Sequence, residues 1–206
     1  MLLSRNMFLF FTLFFTALFS SAMATGLEAF TTDGVVPDVI SVPPKDILGV
    51  TYKNGVKADF GNELTPTQVK EKPTVTWDAL SDALYTLILT DPDAPSRANP
   101  TRREFKHWVV VNIPGNQVEK GDEAAGYVGS GPPKDTGLHR YVFLLFKQNG
   151  KVDAGFQTPN NSSDGRPNWS AATFAQKHNM SLVAGNFYQA KYDDYVPNVH
   201  KQLSGH

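Results

Sequence analysis

Apolar residues in this chain gather into short, nearly continuous runs, and few stretches carry the three-and-four spacing of an amphipathic helix. Tyr85–Thr90, Trp108–Ile113 and Tyr141–Phe146 are rich in β-branched and aromatic residues and are bounded by Pro, Gly and Asp clusters, which predicts strands. Their lack of polar alternation predicts burial on both faces. Val50–Tyr52, Val75–Trp77 and Asn186–Ala190 read as shorter, outer strands. Ser170 is a candidate N-cap for a helix over Ala171–His178. Asp193-Asp194 place negative charge at the start of a helix over Tyr195–Leu203, as the helix dipole favours. Thr25–Pro44, mixed and bounded by proline, is expected to run along the surface before the fold begins. No repeat, low-complexity tract or linker divides residues 25–206, so the pattern predicts one mainly β domain with a minor α component.

The front of the chain follows a different pattern. Residues 1–24 hold one basic side chain, Arg5, and no acidic one, and Met7–Phe19 is apolar apart from two threonines. The run ends at Ala22-Met23-Ala24. A basic start, a short apolar run and an A-x-A exit describe a secretory signal peptide, with cleavage expected after Ala24. A transmembrane anchor needs roughly 20 apolar residues, and this run is shorter. The exported chain would then be soluble, with no stable membrane insertion.

Charge and composition narrow the function classes. The net charge of −1 becomes −2 without Arg5, 18 basic against 20 acidic residues. That balance argues against nucleic acid as a partner. The chain has no cysteine, which removes thiolate metal sites, Cys nucleophiles and disulfides. Taken alone, the zero leans toward a reducing compartment; the signal peptide overrules it and predicts a secreted, extracellular protein. Export gives meaning to four N-x-[ST] matches, at Asn160, Asn161, Asn168 and Asn179, which are candidate glycosylation sites.

Candidate chemistry lies beside the three best strands. Asp91-Pro-Asp-Ala-Pro-Ser-Arg97 follows the first, Glu104-Phe-Lys-His107 leads into the second, and Gly129-Ser-Gly-Pro-Pro133 with Gly137-Leu-His-Arg-Tyr141 leads into the third. If those strands are neighbours, the three segments gather at one end of a sheet, where scaffolded loops carry binding groups. His107, His139, Tyr141 and the amides around Gly131 would suit an anion, with imidazoles protonated near Asp91. On that reading, affinity weakens as pH rises through the histidine range. His178, His200 and His206 read as surface residues. The glycine-rich segment is neither a P-loop nor a nucleophile elbow, and no metal motif occurs.

Asp91–Arg97 and Gly131-Pro-Pro…Gly-Leu-His-Arg-Tyr141 resemble the two signature segments of the phosphatidylethanolamine-binding protein family, which includes the Raf kinase inhibitor proteins. The resemblance extends over roughly residues 36–206. It implies a large central antiparallel sheet packed on a smaller one, short helices, and a C-terminal helix near a pocket mouth. It implies a site for phosphate-type head groups formed by Asp91, His107, Gly131, Pro133, His139 and Tyr141, with Tyr195 nearby, and a cis bond at Ala94-Pro95. The family often has Trp-His-His where this chain has Phe105-Lys106-His107, a change expected at the pocket rim. The best-known members are cytosolic kinase regulators, a role that a secreted chain does not inherit.

These readings predict a secreted, non-enzymatic binding protein without cofactor or metal. Its ligand would be phosphatidylethanolamine-like or another small phosphorylated or anionic molecule in a preformed pocket. The alternatives are a secreted protein-directed inhibitor, for example of a serine protease, or a chemosensory-type carrier. An enzyme pairing Asp91 with His107 ranks last, since no nucleophile motif accompanies them.

Overall fold

The computed structural model describes residues 26–205, so the expected cleavage point at Ala24 lies outside the described residues. After helical residues 26–32 come α1 (Val35–Asp38), β1 (Asp46–Ile47), β2 (Gly49–Thr51), β3 (Thr74–Thr76), β4 (Leu84–Asp91), β5 (Phe105–Pro114), β6 (Asp122–Ala125), β7 (His139–Lys147), α2 (Ala171–Lys177), β8 (Ser181–Ala190) and α3 (Val196–Leu203). Six strands form one sheet in the order β1-β8-β7-β4-β5-β6, and β2 pairs with β3 in a second, small sheet. Neighbours in the large sheet are antiparallel except β1 and β8, which run parallel.

The continuous apolar runs are explained by two cores, one on each face of the large sheet. Leu87, Leu89, Trp108, Val110, Phe143 and Leu145 face the small sheet and pack with Val50, Tyr52 and Val75. Ile88, Val109, Val111, Val142, Leu144 and Phe146 point the other way, against Phe30, Val35, Val39, Ile40 and Phe174. Period-2 alternation sends successive side chains to opposite faces, so a strand covered on both sides has no polar positions to show. Each fully buried aliphatic side chain contributes about 1.5–3 kcal/mol relative to exposure.

Two expectations are corrected here. The segment before Pro44 is not a surface run: Phe30 and Val35 are fully buried, and Val39 and Ile40 nearly so. The strand predicted over Asn186–Ala190 is neither short nor outer. It begins at Ser181 and lies inside the sheet between β1 and β7. Its sequence hides this because Gly185 and Asn186 interrupt the apolar run. Both residues are required by their neighbours. A Cβ on Gly185 would lie 3.1 Å from Pro44 and 3.2 Å from Phe30, so the glycine admits the N-terminal segment. Asn186 is buried, donating to the carbonyls of Leu48 (2.9 Å) and Ala58 (3.1 Å).

Arg140 fastens that N-terminal segment to the loop after β4. It donates to Asp93 through Nε (2.9 Å) and Nη2 (2.6 Å), to Asp38 (2.6 Å) and to the Gly34 carbonyl (2.6 Å). Burial opposes the guanidinium charge, but Asp93 and Asp38 outweigh it and raise the Arg140 pKa. At the other end of the chain, the Ser170 hydroxyl accepts from the Thr173 amide (3.2 Å) as the N-cap of α2. The four sequon asparagines, Asn160, Asn161, Asn168 and Asn179, are all exposed.

Candidate functional site

Register brings the three polar segments together. Asp91 at the end of β4 pairs with Phe105 at the start of β5, and Thr90 pairs with Val142 near the start of β7. Antiparallel neighbours therefore place the loop after β4 and the entries to β5 and β7 at one end of the sheet. A pocket of about 290 Å³ opens there. It is lined by Asp91, His107, Gly131, Pro133, His139 and Tyr141, and also by Ala94, Pro95, Arg102, Phe105 and the α3 residues Val199, His200 and Leu203. The Ala94-Pro95 bond is cis.

Hydrogen-bond bookkeeping fixes where the protons sit. Asp91 accepts from the Asp93 amide through Oδ1 (2.7 Å) and contacts His139 Nδ1 through Oδ2 (2.9 Å). The other His139 nitrogen, Nε2, lies 3.0 Å from the Thr136 hydroxyl, which donates to the Pro133 carbonyl at 2.7 Å. A hydroxyl has one proton and a carbonyl can only accept, so His139 Nε2 donates to Thr136. Nδ1 is taken up by the Asp91 carboxyl group, so both ring nitrogens of His139 are spent on protein partners.

His107 differs. Its Nδ1 lies 2.9 Å from the Val128 carbonyl and must donate to it, so Nε2 carries a lone pair. Burial pulls its pKa down to about 4, against a smaller opposing pull from Asp91. His107 is therefore neutral at physiological pH. This corrects the expectation that both imidazoles hold an anion as cations. It also separates Asp91 from His107 as an acid/base pair, because the carboxylate bonds to His139.

Tyr141 closes the floor. Its ring stacks on Tyr188 (5.1 Å, 13°) and meets His107 edge-on (5.1 Å, 81°). Its hydroxyl is buried without a hydrogen-bond partner among the described residues. Burial, reinforced by Asp91 and Tyr188 and only partly offset by the nearby Gly131 amide and Ser130 hydroxyl, raises its pKa well above the usual value, so it stays protonated. An orphaned buried hydroxyl costs about 1–3 kcal/mol, which a bound acceptor would recover.

Gly131 admits α3: a Cβ there would come within 2.9 Å of Val199. His200 seals the contact by donating from Nε2 to the Gly131 carbonyl (2.9 Å). His200 thus stands at the pocket mouth as well as at the surface, a role its position in a tail did not reveal. Tyr195 does not line the pocket. It is the residue before α3, with the Lys70 ammonium 5.7 Å from its ring. The Phe105-Lys106 departure also divides. Phe105 lines the pocket beneath Arg102, 5.7 Å from its ring, whereas Lys106 packs over Phe156 (4.3 Å) and Trp169 (5.0 Å). Arg102, Val199 and Leu203 were not anticipated; the i, i+4 spacing of Val199 and Leu203 on one helix face was the available signal.

Comparison with known proteins now bears on this geometry. The family model described as phosphatidylethanolamine-binding protein matches residues 48–189. The chain belongs to the phosphatidylethanolamine-binding protein family. It is 39% identical over 173 residues to the putative odorant-binding protein A5 of Drosophila melanogaster, covering 83% of this chain and 82% of that protein. The solution structure of CG7054 is 48% identical, with a TM-score of 0.70 over 84% of this chain and 99% of that one. A carboxypeptidase Y inhibitor, solved in complex with its cognate proteinase, is 29% identical with a TM-score of 0.71 over 83% of this chain and 97% of its own. The matched region contains every family-signature pocket residue named above. The α3 residues at the mouth lie beyond it.

Among the described residues, no cluster of three or more His, Asp or Glu side chains is arranged to hold a metal. No described helix is long and apolar enough to cross a membrane.

Proposed function

We propose that the chain is exported after cleavage at Ala24 and acts as a binding protein. Its ligand is a small phosphate-type or otherwise anionic molecule, including a phospholipid head group, held in the pocket between β4, β5, β7 and α3. The observation that carries this reading is the Tyr141 hydroxyl, a buried donor without a hydrogen-bond partner among the described residues, on a ring that meets His107 edge-on in the lining of the same pocket. Kinship with a putative odorant-binding protein supports a carrier role, and the exposed sequons on residues 160–179 support a glycosylated, extracellular chain. The groups that contact the ligand are Asp91, His107, Tyr141 and the backbone around Gly131. Titrating O-phosphorylethanolamine into wild type, Asp91→Ala and His107→Ala by calorimetry tests it: both variants should bind more weakly, and equal affinity in all three rejects the reading.

A second reading, inhibition of an extracellular protease through the outer surface, is favoured by the similarity to the carboxypeptidase Y inhibitor. A screen of serine proteases with micromolar protein tests it, and a lack of inhibition across the screen removes it.

A further inference from the structure

The opposite end of the large sheet carries a second cleft. Register sets Asp46 of β1, Ala184 of β8 and Leu145 of β7 in one row across three neighbouring strands, because Ala184 pairs with both of the others. Leu145 and Ala184 belong to the core beneath the small sheet, so this row lies on that face, with Asp46 on the edge strand. From the small sheet, Val75 points into the same core, and period-2 alternation sends Trp77 the same way, where it packs against it. The two sheets together border a cavity of about 510 Å³, whose lining includes Asp46, Trp77, Asp78, Leu145, Val183 and Ala184. That volume suits a small molecule. The cavity shares no lining residue with the pocket between β4, β5, β7 and α3.

Three features of the lining specify a ligand. Leu145, Val183 and Ala184 offer an apolar wall. Asp46 and Asp78 are exposed, neither is ion-paired among the described residues, and no basic side chain lines the cavity. Two carboxylates can only accept, so they call for a cationic donor. The Trp77 indole N–H, by contrast, is buried without an acceptor among the described residues. Its ring meets Tyr85 edge-on (5.6 Å, 64°), and the Tyr85 hydroxyl accepts from the Leu80 amide (3.0 Å), which holds the indole in place. An indole nitrogen can only donate, so the ligand must also bring an acceptor. We infer that this cleft is a second ligand site, for a small amphiphilic amine: its ammonium donates to Asp46 and Asp78, its apolar body packs on Leu145 and Val183, and an oxygen accepts from Trp77 Nε1–H. The site is opposite in charge preference to a phosphate pocket, shares no residue with it and does not depend on that reading.

Calorimetric titration of wild type with 4-methoxyphenethylamine and two near-isosteres reads each part of this. In 4-ethylphenethylamine a methylene replaces the ether oxygen, and in 4-propylanisole a methyl replaces the ammonium. The first should bind about tenfold more weakly than the parent, the scale of one lost hydrogen bond, and the second at least about tenfold more weakly. Asp46→Asn combined with Asp78→Asn, checked for an unchanged melting transition, should erase the preference for the amine over 4-propylanisole. Trp77→Phe should erase the preference for the ether over 4-ethylphenethylamine. Where that variant fails to fold, wild type decides: the Trp77 indole N–H resonance should move downfield with 4-methoxyphenethylamine and stay in place with 4-ethylphenethylamine. An unmoved resonance, equal affinity for the three compounds or binding of none of them overturns the inference. Saturating O-phosphorylethanolamine should leave the amine's affinity unchanged. Competition between the two would place the amine in the other pocket and overturn the second site, while leaving the phosphate reading standing.

Discussion

Asp91, the last residue of β4, and Asp93, on the loop that follows, sit two residues apart, both almost fully buried, and their surroundings teach opposite lessons. Asp93 is saturated: the Arg140 amide, Nε and Nη2 all donate to it, at 2.9, 2.9 and 2.6 Å. Nothing about that knot invites a ligand. Asp91 belongs to a set left unfinished, with an orphaned tyrosine hydroxyl and a lone imidazole nitrogen around the same cavity. The first arrangement holds the N-terminal segment onto the sheet. The second keeps polar capacity in reserve at the cavity, whereas the other buried side-chain atoms without a partner among the described residues, on Tyr52, Trp77 and His178, do not line it.

The largest effect expected from breaking this contrast is at the knot. Arg140→Ala leaves the Asp93 carboxylate buried and unpaired, which costs on the order of 3–5 kcal/mol. A denaturant melt should show the loss directly. Amide exchange should also rise in residues 26–40, because Arg140 is what ties the Gly34 carbonyl and Asp38 to the loop. Next in size is the pH response of His107. Its pKa of about 4 lies below the unfolded value near 6.5, so the fold favours the neutral ring. That contribution is complete above pH 6.5 and is lost as pH falls toward about 4, at up to ~1.4 kcal/mol per pH unit. Glu104, raised to about 7 mainly by burial, acts in the opposite sense, losing its contribution as pH rises through 7. The comparison must therefore be between wild type and His107→Phe, whose stability should fall less steeply on acidification. A steeper fall in the variant contradicts the account.

Smaller again is the helix cap. Ser170→Ala should cost about 1 kcal/mol, read as a lower denaturation midpoint with an unchanged slope. Gly131→Ala tests the mouth: its new methyl meets Val199, so α3 must shift, weakening ligand binding more than it weakens the fold. Wild-type affinity in that variant would mean that α3 does not shape the site.

How much of this could be read beforehand follows from what each residue depends on. The three central strands were legible because two-sided burial leaves an uninterrupted apolar run, and their polar flanks marked the end of the sheet where the pocket lies. β8 was not, because Gly185 and Asn186 answer to Phe30, Pro44, Leu48 and Ala58, which are far away in sequence. The segment before Pro44 was misjudged for the same reason: its burial is created by the second face of the sheet. At the site, residue types were visible but their pairing was not. That His139, and not His107, takes the Asp91 carboxylate depends on β7 lying beside β4 and on the Thr136–Pro133 hydrogen bond. The charge state expected of His107 failed because burial outweighs the neighbouring carboxylate, and burial has no local signature.

The central claim is that the pocket is an unfinished polar site awaiting a ligand. Tyr141→Phe measures it most directly, because the change removes the orphaned hydroxyl and leaves the stacked ring in place. The account predicts that the variant is as stable as wild type or slightly more so, since a buried unpaired group is gone. It also predicts that O-phosphorylethanolamine binds about tenfold more weakly, the scale of one lost hydrogen bond. A variant that loses stability and keeps full affinity would show that the hydroxyl serves the fold, and would contradict the account.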